Sequence, residues 1–202
     1  RLNTLNGGTG VDTITGDANT RIMTLDAGAG DDIVSLYTNT FVDTTASTVK
    51  ATISGGADSD TLNLLGGGTL TVSQLANVSG WETWSLGTNA AYNITLGANN
   101  DPTSGALTIS ATSVTSAAVT IDASAETSTS ISYFGGGGVD TITGGQGADA
   151  MVGGTGADVY MSRASGTDNS NATASNLDAI HIDVSQGDVL DISAFTAITE
   201  AE

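Results

Sequence analysis

The chain of 202 residues has no cysteine, which rules out a disulfide framework. It has a single histidine, His181, so neither an H-E-x-x-H motif nor a three-histidine zinc site can be assembled. No G-x-S-x-G nucleophile elbow occurs either, and together these gaps argue against a hydrolytic site. His181 stands between Ile180 and Ile182, where strand alternation sends it to the outward face. Basic residues are nearly as scarce: 4 Lys and Arg face 22 Asp and Glu, and a formal charge of −18 excludes nucleic acid as a natural partner. No apolar run approaches the ~20 residues needed to span a bilayer. Arg1-Leu2-Asn3 begins no signal peptide, so any export signal is expected elsewhere.

What the chain does have is glycine and aspartate in register. Residues 135–161 read GGGGVDTIT, GGQGADAMV, GGTGADVYM, three consecutive units of the form G-G-x-G-x-D-x-U-x with U apolar or aromatic. Glycines tolerate positive φ and let carbonyls converge, so such a turn can present backbone oxygens to a cation while the aspartate supplies charge. The last three residues of each unit favour strand, and alternation sends Ile142, Met151 and Tyr160 inward. One such strand cannot bury its apolar face alone. Successive turns must stack, two per coil of about eighteen residues, which predicts a parallel β-roll wound around calcium. Turns on one side then belong to units n and n+2, so an ion between 135–140 and 153–158 is held by Asp140, Asp158 and carbonyls of both turns, while Asp149 serves the opposite side.

The pattern returns near the start. Residues 7–15 match in full, 27–35 depart by Ala27 at the first position, and 55–63 place Asp58 where the third glycine belongs. Aspartate is among the few residues that tolerate the left-handed region, so this last turn is still expected to form. Asn3-Thr4-Leu5-Asn6 resembles the end of a further unit whose Asp has become Asn, and the chain is expected to begin inside a repeat array. The candidate calcium ligands, turn by turn, are Gly7, Thr9 and Asp12; Gly28, Gly30 and Asp32; Gly55, Asp58 and Asp60; Gly135, Gly137, Val139 and Asp140; Gly144, Gln146, Ala148 and Asp149; and Gly153, Thr155, Ala157 and Asp158.

Composition agrees. Of the acidic residues 18 are Asp and 4 Glu, a bias that tight cation-binding turns explain and a merely soluble acidic surface does not. The aspartates sit beside glycines rather than in runs, and 39% hydrophobic residues is too many for a disordered acidic tail. A metal-free chain of this charge repels itself, so folding is expected to be coupled to cation binding. Adjacent carboxylates such as Asp31 and Asp32 point to opposite faces of a strand, which argues against glycoside chemistry.

Four segments follow: a degenerate roll over 1–66, a Thr/Ser/Ala-rich stretch over 67–133, the nonapeptide roll over 134–161, and a loop with a C-terminal cap over 162–202. The second alternates Thr, Ser, Ala and Asn with Val, Ile and Leu in five predicted strands, starting at Thr69-Leu70-Thr71-Val72. It fits either a β-solenoid continuing the roll or a small sandwich spliced into it, the solenoid being the preferred reading. Trp81 and Trp84 are spaced i, i+3, which is not strand alternation; Trp84 is read as core and Trp81 as a bend residue, with a sugar-binding platform as the sharper alternative. In 178–195 two strands around Gln186-Gly187-Asp188 would lay Ile180, Ile182, Val184, Val189 or Leu190, Ile192 and Phe195 over the open end of the roll, which otherwise exposes core and strand edge. Asp178 and Asp188 are turn or cap residues first and extra ligands of the last ion second. An unbroken roll of about eighteen residues per coil would be a rod about 50 Å long.

The three tandem units and the G-D-x-L-D-I-S-x-F ending resemble the repeats-in-toxin (RTX) family, in which an all-β parallel roll binds several calcium ions and serves as structure, not as an enzyme. The resemblance implies type I secretion, transit unfolded at low cytosolic calcium, folding outside the cell, and a secretion signal beyond the cap. Interleaved turns and Thr/Ser/Ala-rich strands, with the G-x-E-T of Gly80–Thr83, resemble more loosely the C-terminal part of RTX-type surface-layer (S-layer) proteins of Gram-negative bacteria. That implies a cell-surface protein whose partners are copies of itself in a lattice, the secretion machinery and, through another region, a surface polysaccharide. The alternative is a calcium-binding module of a large adhesin, or of an exoenzyme whose catalytic domain precedes Arg1.

Overall fold

The computed structural model describes residues 4–17, 24–41, 52–102, 105–126, 129–145, 147–161 and 179–191. Its strands are β1 (Thr4–Asn6), β2 (Thr13–Thr15), β3 (Thr24–Ala29), β4 (Ile33–Tyr37), β5 (Thr52–Ala57), β6 (Thr61–Leu65), β7 (Gly68–Leu70), β8 (Val78–Ser79), β9 (Thr83–Leu86), β10 (Tyr92–Thr95), β11 (Leu107–Ser110), β12 (Val119–Asp122), β13 (Ile131–Phe134), β14 (Thr141–Thr143), β15 (Ala150–Val152), β16 (Val159–Met161), β17 (Ala179–His181) and β18 (Val189–Asp191). They form three sheets: β1-β3-β5-β8; a long sheet β2-β4-β6-β9-β11-β13-β15-β17; and a third, β7-β10-β12-β14-β16-β18. Pairing is parallel throughout, for example β4 with β6, β9 with β11 and β14 with β16. This is an all-β parallel solenoid.

Register follows from the inward position of each short strand. Along the long sheet Ile14, Val34, Leu62, Trp84, Ile109, Tyr133, Met151 and Ile180 lie one above another. In the third sheet the equivalent column is Leu70, Ile94, Ile121, Ile142, Tyr160 and Leu190. Leu25, Ile53 and Val78 form the column of the first sheet, above Leu5. The middle of these columns is fully buried and supplies the core. Each buried aliphatic contributes roughly 1.5–3 kcal/mol, and a one-residue slip would turn every one of them outward.

The Thr/Ser/Ala-rich stretch continues the solenoid rather than forming a sandwich. Between Thr52 and Thr95 the chain lays down three strands per coil, β5-β6-β7 and then β8-β9-β10, and there the third sheet begins as the first ends. One predicted strand is cut short: β7 stops at Leu70 and Val72–Leu75 forms a helical turn, α1. The Gln74 side chain accepts the Thr71 N–H at 2.8 Å and Leu75 is buried, so the segment is held by a cap and one apolar anchor. Trp81 and Trp84 are both fully buried, Trp84 in β9 and Trp81 in the bend before it, donating to the Ile53 carbonyl at 3.4 Å. Burial of both rings removes the sugar-platform alternative.

Two expectations need correction. Coils are not uniformly eighteen residues long: the offset is 18 between β13 and β15 (Ser132 to Ala150) but 28 between β4 and β6 (Ile33 to Thr61). With eight strands in the long sheet, the described stack is about 34 Å from first to last strand at ~4.8 Å spacing, shorter than a uniform roll because connections consume residues. The C-terminal strands extend the solenoid more than they cover it. β17 and β18 add in register to β15 and β16, and Ile180 packs on the core. Ile182 and Val184 fall in the connecting turn and Val184 is 82% exposed, while Val189 and Leu190 are exposed too; Ile192 and Phe195 lie outside the described residues.

Candidate calcium-binding turns

The Gly/Asp turns stack in separate columns at the corners of the solenoid. Turns 7–12, 27–32 and 55–60 carry the chain from the first sheet to the long sheet, whereas 135–140 and 153–158 carry it from the long sheet to the third, and 144–149 makes the return. The expected n, n+2 pairing therefore holds for Asp140 and Asp158, with Asp149 on another side.

In the first column each sixth-position carboxylate grips the coil before it. Asp32 Oδ1 accepts the Asp12 N–H at 2.8 Å and Asp60 Oδ1 accepts the Asp32 N–H at 2.8 Å. The next rung is Glu82, whose Oε2 accepts the Asp60 N–H at 2.8 Å. Glu82 was not among the sequence candidates, because its turn is shortened to Gly80-Trp81-Glu82. Its signal was the G-x-E-T segment itself, since Thr83 pairs with Thr61 and so sets Glu82 level with Asp60. The second column repeats the ladder: Val119 N–H to Asp140 Oδ1 at 2.9 Å, Asp140 N–H to Asp158 Oδ1 at 2.9 Å, and Asp158 N–H to Asp188 Oδ1 at 3.0 Å. Asp188 also takes the Asp183 N–H at 2.8 Å, so it both closes its own turn and extends the ladder.

The other carboxylate oxygen shows what the ladder leaves undone. Oδ2 of Asp12, Asp32, Asp60 and Asp158 is buried without a hydrogen-bond partner. Leaving a buried charged oxygen unsatisfied costs several kcal/mol unless a counter-ion meets it. The consequence appears in acidity. Burial, with the like charges of Asp32, Glu82 and Asp31 adding to it, pushes the Asp60 carboxyl up to about 6. Burial likewise raises Asp158, with Asp188 adding to it. Asp140 is also pushed up to about 6 by burial, although the Tyr133 hydroxyl, donating to its Oδ2 at 2.8 Å, pulls the other way. Burial raises the Tyr133 and Tyr160 hydroxyls as well.

The glycines beside these oxygens are required for space more than for φ. A Cβ on Gly7 would sit 2.7 Å from Asp12 Oδ2 and 2.1 Å from the Ala27 carbonyl oxygen; on Gly55, 2.8 Å from Asp60 Oδ2; on Gly135, 2.8 Å from Asp140 Oδ2; on Gly153, 2.0 Å from Asp158 Oδ2. First-position glycines are not in the left-handed region, whereas Gly8, Gly28, Gly56 and Gly154 at the second position are. At the fourth position Gly10, Gly30, Gly138 and Gly156 have positive φ and so does Asp58, at +78°, the one non-glycine residue among those described to do so. Aspartate thus substitutes for the third glycine, and Asp58 Oδ2 accepts the Gly30 N–H at 3.1 Å. Thr9 and Thr155, at the third position, bridge Ala29 and Gly137 in the neighbouring coils.

Turn 144–149 differs although its letters match. Gly144 and Gly147 are not in the left-handed region, and both Asp149 oxygens are engaged, Oδ1 by the Ile131 N–H at 2.7 Å and Oδ2 by the Gly145 N–H at 2.8 Å. Val139, in turn 135–140, is 53% exposed, and Ala148 and Ala157 are half-buried. Gln146 and Asp178 lie outside the described residues. In the Asp-poor middle an amide does the bracing. Asn89 Oδ1 accepts the N–H groups of Thr115, Ser116 and Ala117 at 3.1, 3.1 and 3.3 Å.

A cation test follows from these facts. Among the described residues no group of three or more acidic or histidine side chains converges on one point, so the turns are not all-carboxylate cages. Four of the six turns, those of Asp12, Asp32, Asp60 and Asp158, offer one unsatisfied carboxylate oxygen each, beside stacked glycine backbone kept free of Cβ atoms and with oxygen donors only, a set that suits calcium. Asp12, Asp32, Asp60 and Asp158 would hold the ions with carbonyls of the adjoining turns. When bound, calcium supplies the positive charge that lets these buried carboxylates stay ionised.

The family model of the RTX calcium-binding nonapeptide repeat matches the chain in four copies, over residues 3–20 and 132–160. The match supports the RTX family, and such repeats imply a structural calcium-binding module of the kind found in secreted proteins. Turns 27–32 and 55–60 fall outside the matched residues although they share the ladder. No curated protein and no solved structure matches the chain. No helix among the described residues is long and apolar enough to cross a membrane.

Proposed function

We propose that this chain is a calcium-dependent structural segment of a bacterial surface-layer protein, exported unfolded and folded by extracellular calcium. The observation that carries the calcium half is the series of buried, unpartnered Oδ2 atoms on Asp12, Asp32, Asp60 and Asp158. A chain with those oxygens repels itself when ions are scarce and closes when they are abundant. The lattice half is motivated by the Gly80–Thr83 segment and by a long parallel sheet in which β2 and β17 are the outermost strands among the described residues, an arrangement to which strands of a neighbouring copy could add. Self-association and export through a type I channel follow from this reading.

The experiment is a far-UV circular dichroism titration with calcium after EDTA treatment, followed by electron microscopy of the loaded protein. A coil-to-β transition with regular sheets supports the reading. The same transition with isolated rods leaves a calcium-folded module and favours an adhesin or exoenzyme parent. No calcium response overturns the proposal entirely.

A further inference from the structure

The return turns from the third sheet to the long sheet contain an acidic pair that the repeats do not account for. Glu126 is 1% exposed, and neither of its carboxylate oxygens has a hydrogen-bond partner. Its backbone N–H closes the local turn on the Ala123 carbonyl at 2.9 Å, so the side chain is carried by an ordered bend. Asp101, from the coil before, lies beside it: the Asp101 carboxylate is bonded by the Thr129 hydroxyl of the Glu126 turn. The next coil closes over the top, where a Cβ on Gly145 would sit 3.0 Å from Glu126 Cβ and 3.3 Å from its carbonyl oxygen. Thr129 is itself 8% exposed.

The buried Glu126 carboxylate, the buried Thr129 hydroxyl and the half-buried Asp101 carboxylate are thus brought together. No Lys or Arg occurs between residues 51 and 162, so the sequence around them offers no counter-charge. Burial, and then Asp101, push the Glu126 carboxyl up to about 8. A buried carboxylate with both oxygens unsatisfied requires either a proton or a cation. A proton satisfies one oxygen; a hard cation satisfies both, and the surrounding donors are oxygens alone.

We propose that Glu126, Asp101 and Thr129 form a divalent-cation site of the calcium class, placed in the return turns and independent of the nonapeptide motif. It braces the coil built on β11 and β12, where Asp-bearing repeat turns are absent. The site explains why Glu126, the fully buried one of the two glutamates in the Asp-poor segment, is sealed between two coils.

The test is calcium stoichiometry of the whole 202-residue chain by equilibrium dialysis. Glu126→Gln, nearly isosteric, should lose one calcium ion per chain and Asp101→Asn should lose the same ion, so that the double variant loses no more than either. An unchanged stoichiometry in both variants overturns the proposal and assigns the pair to a shared proton. If Glu126→Gln fails to fold, Asp101→Asn decides alone. Asp158→Asn separates this site from the repeats: ions lost there but not at Glu126 refute only the new site, and no bound calcium in the unaltered chain refutes both readings.

Discussion

Replacing Asp60 by Asn should move stability in opposite directions with and without calcium. Asp60 is fully buried, its Oδ1 bonded by the Asp32 N–H and its Oδ2 unpartnered. Its carboxyl rises from 3.8 to about 6 in the metal-free fold. Because the folded value lies above the unfolded one, the contribution of this group to the metal-free fold is fully present below about pH 4 and is lost as pH climbs through about 6. At neutral pH the loss from this group is about 3 kcal/mol, an upper estimate. Asn keeps an oxygen for the Asp32 N–H and carries no charge, so Asp60→Asn should recover up to about 3 kcal/mol in EDTA. Calcium reverses the comparison. With a Kd of about 10⁻⁴ to 10⁻³ M and about 10 mM calcium, each site adds about 1.4–2.7 kcal/mol. The variant forfeits that increment for every ion Asp60 helps to hold. Urea denaturation followed by circular dichroism, in EDTA and in calcium, measures both terms. An equal calcium increment in the two proteins, or a variant weaker in EDTA, would refute the reasoning.

Three further outcomes are expected. Asp158→Ala should weaken calcium-induced folding several-fold more than Asp122→Ala, because Asp122 only caps the Ser124 N–H at 3.0 Å; equal calcium midpoints would sink the assignment. Gly56→Ala, at φ +112° with its Cβ 1.9 Å from the Gly28 carbonyl oxygen, should cost about 3 kcal/mol or more, against about 1 kcal/mol for Gly105→Ala, which has positive φ but open space. Chemical denaturation compares the two. Trp84→Ala should cost roughly 3–5 kcal/mol, since the ring fills the long-sheet column between Leu62 and Ile109, and a loss below about 1 kcal/mol by the same measurement would contradict that packing.

Much of this protein is legible in its letters because the repeat is short and each position has one job. The inward Ile142, Met151 and Tyr160, the sixth-position aspartates and the tolerance of Asp58 for the left-handed region all follow from nine-residue periodicity and backbone sterics. Periodicity is local, and so are its conclusions. It could not say that the first two glycines of a turn serve different ends, because the clash at Gly7 comes from Asp12 and from Ala27 twenty residues on. Nor could it separate turn 144–149 from its neighbours, since Asp149 is satisfied by Ile131 of the preceding coil.

The sequence by itself determined the parallel roll of the Gly/Asp repeats, the ion class those repeats imply and the aspartate register, since these depend on spacing within a unit; that 67–133 continues the solenoid was left to the structure. Tertiary structure decided which coils meet: it set Glu82 on the ladder beside Asp60, handed the winding from the first sheet to the third, and buried Glu126 next to the half-buried Asp101. Those facts depend on how many residues each connection consumes before the next strand takes its place, and connection length carries no periodic signal from which the neighbour could be read.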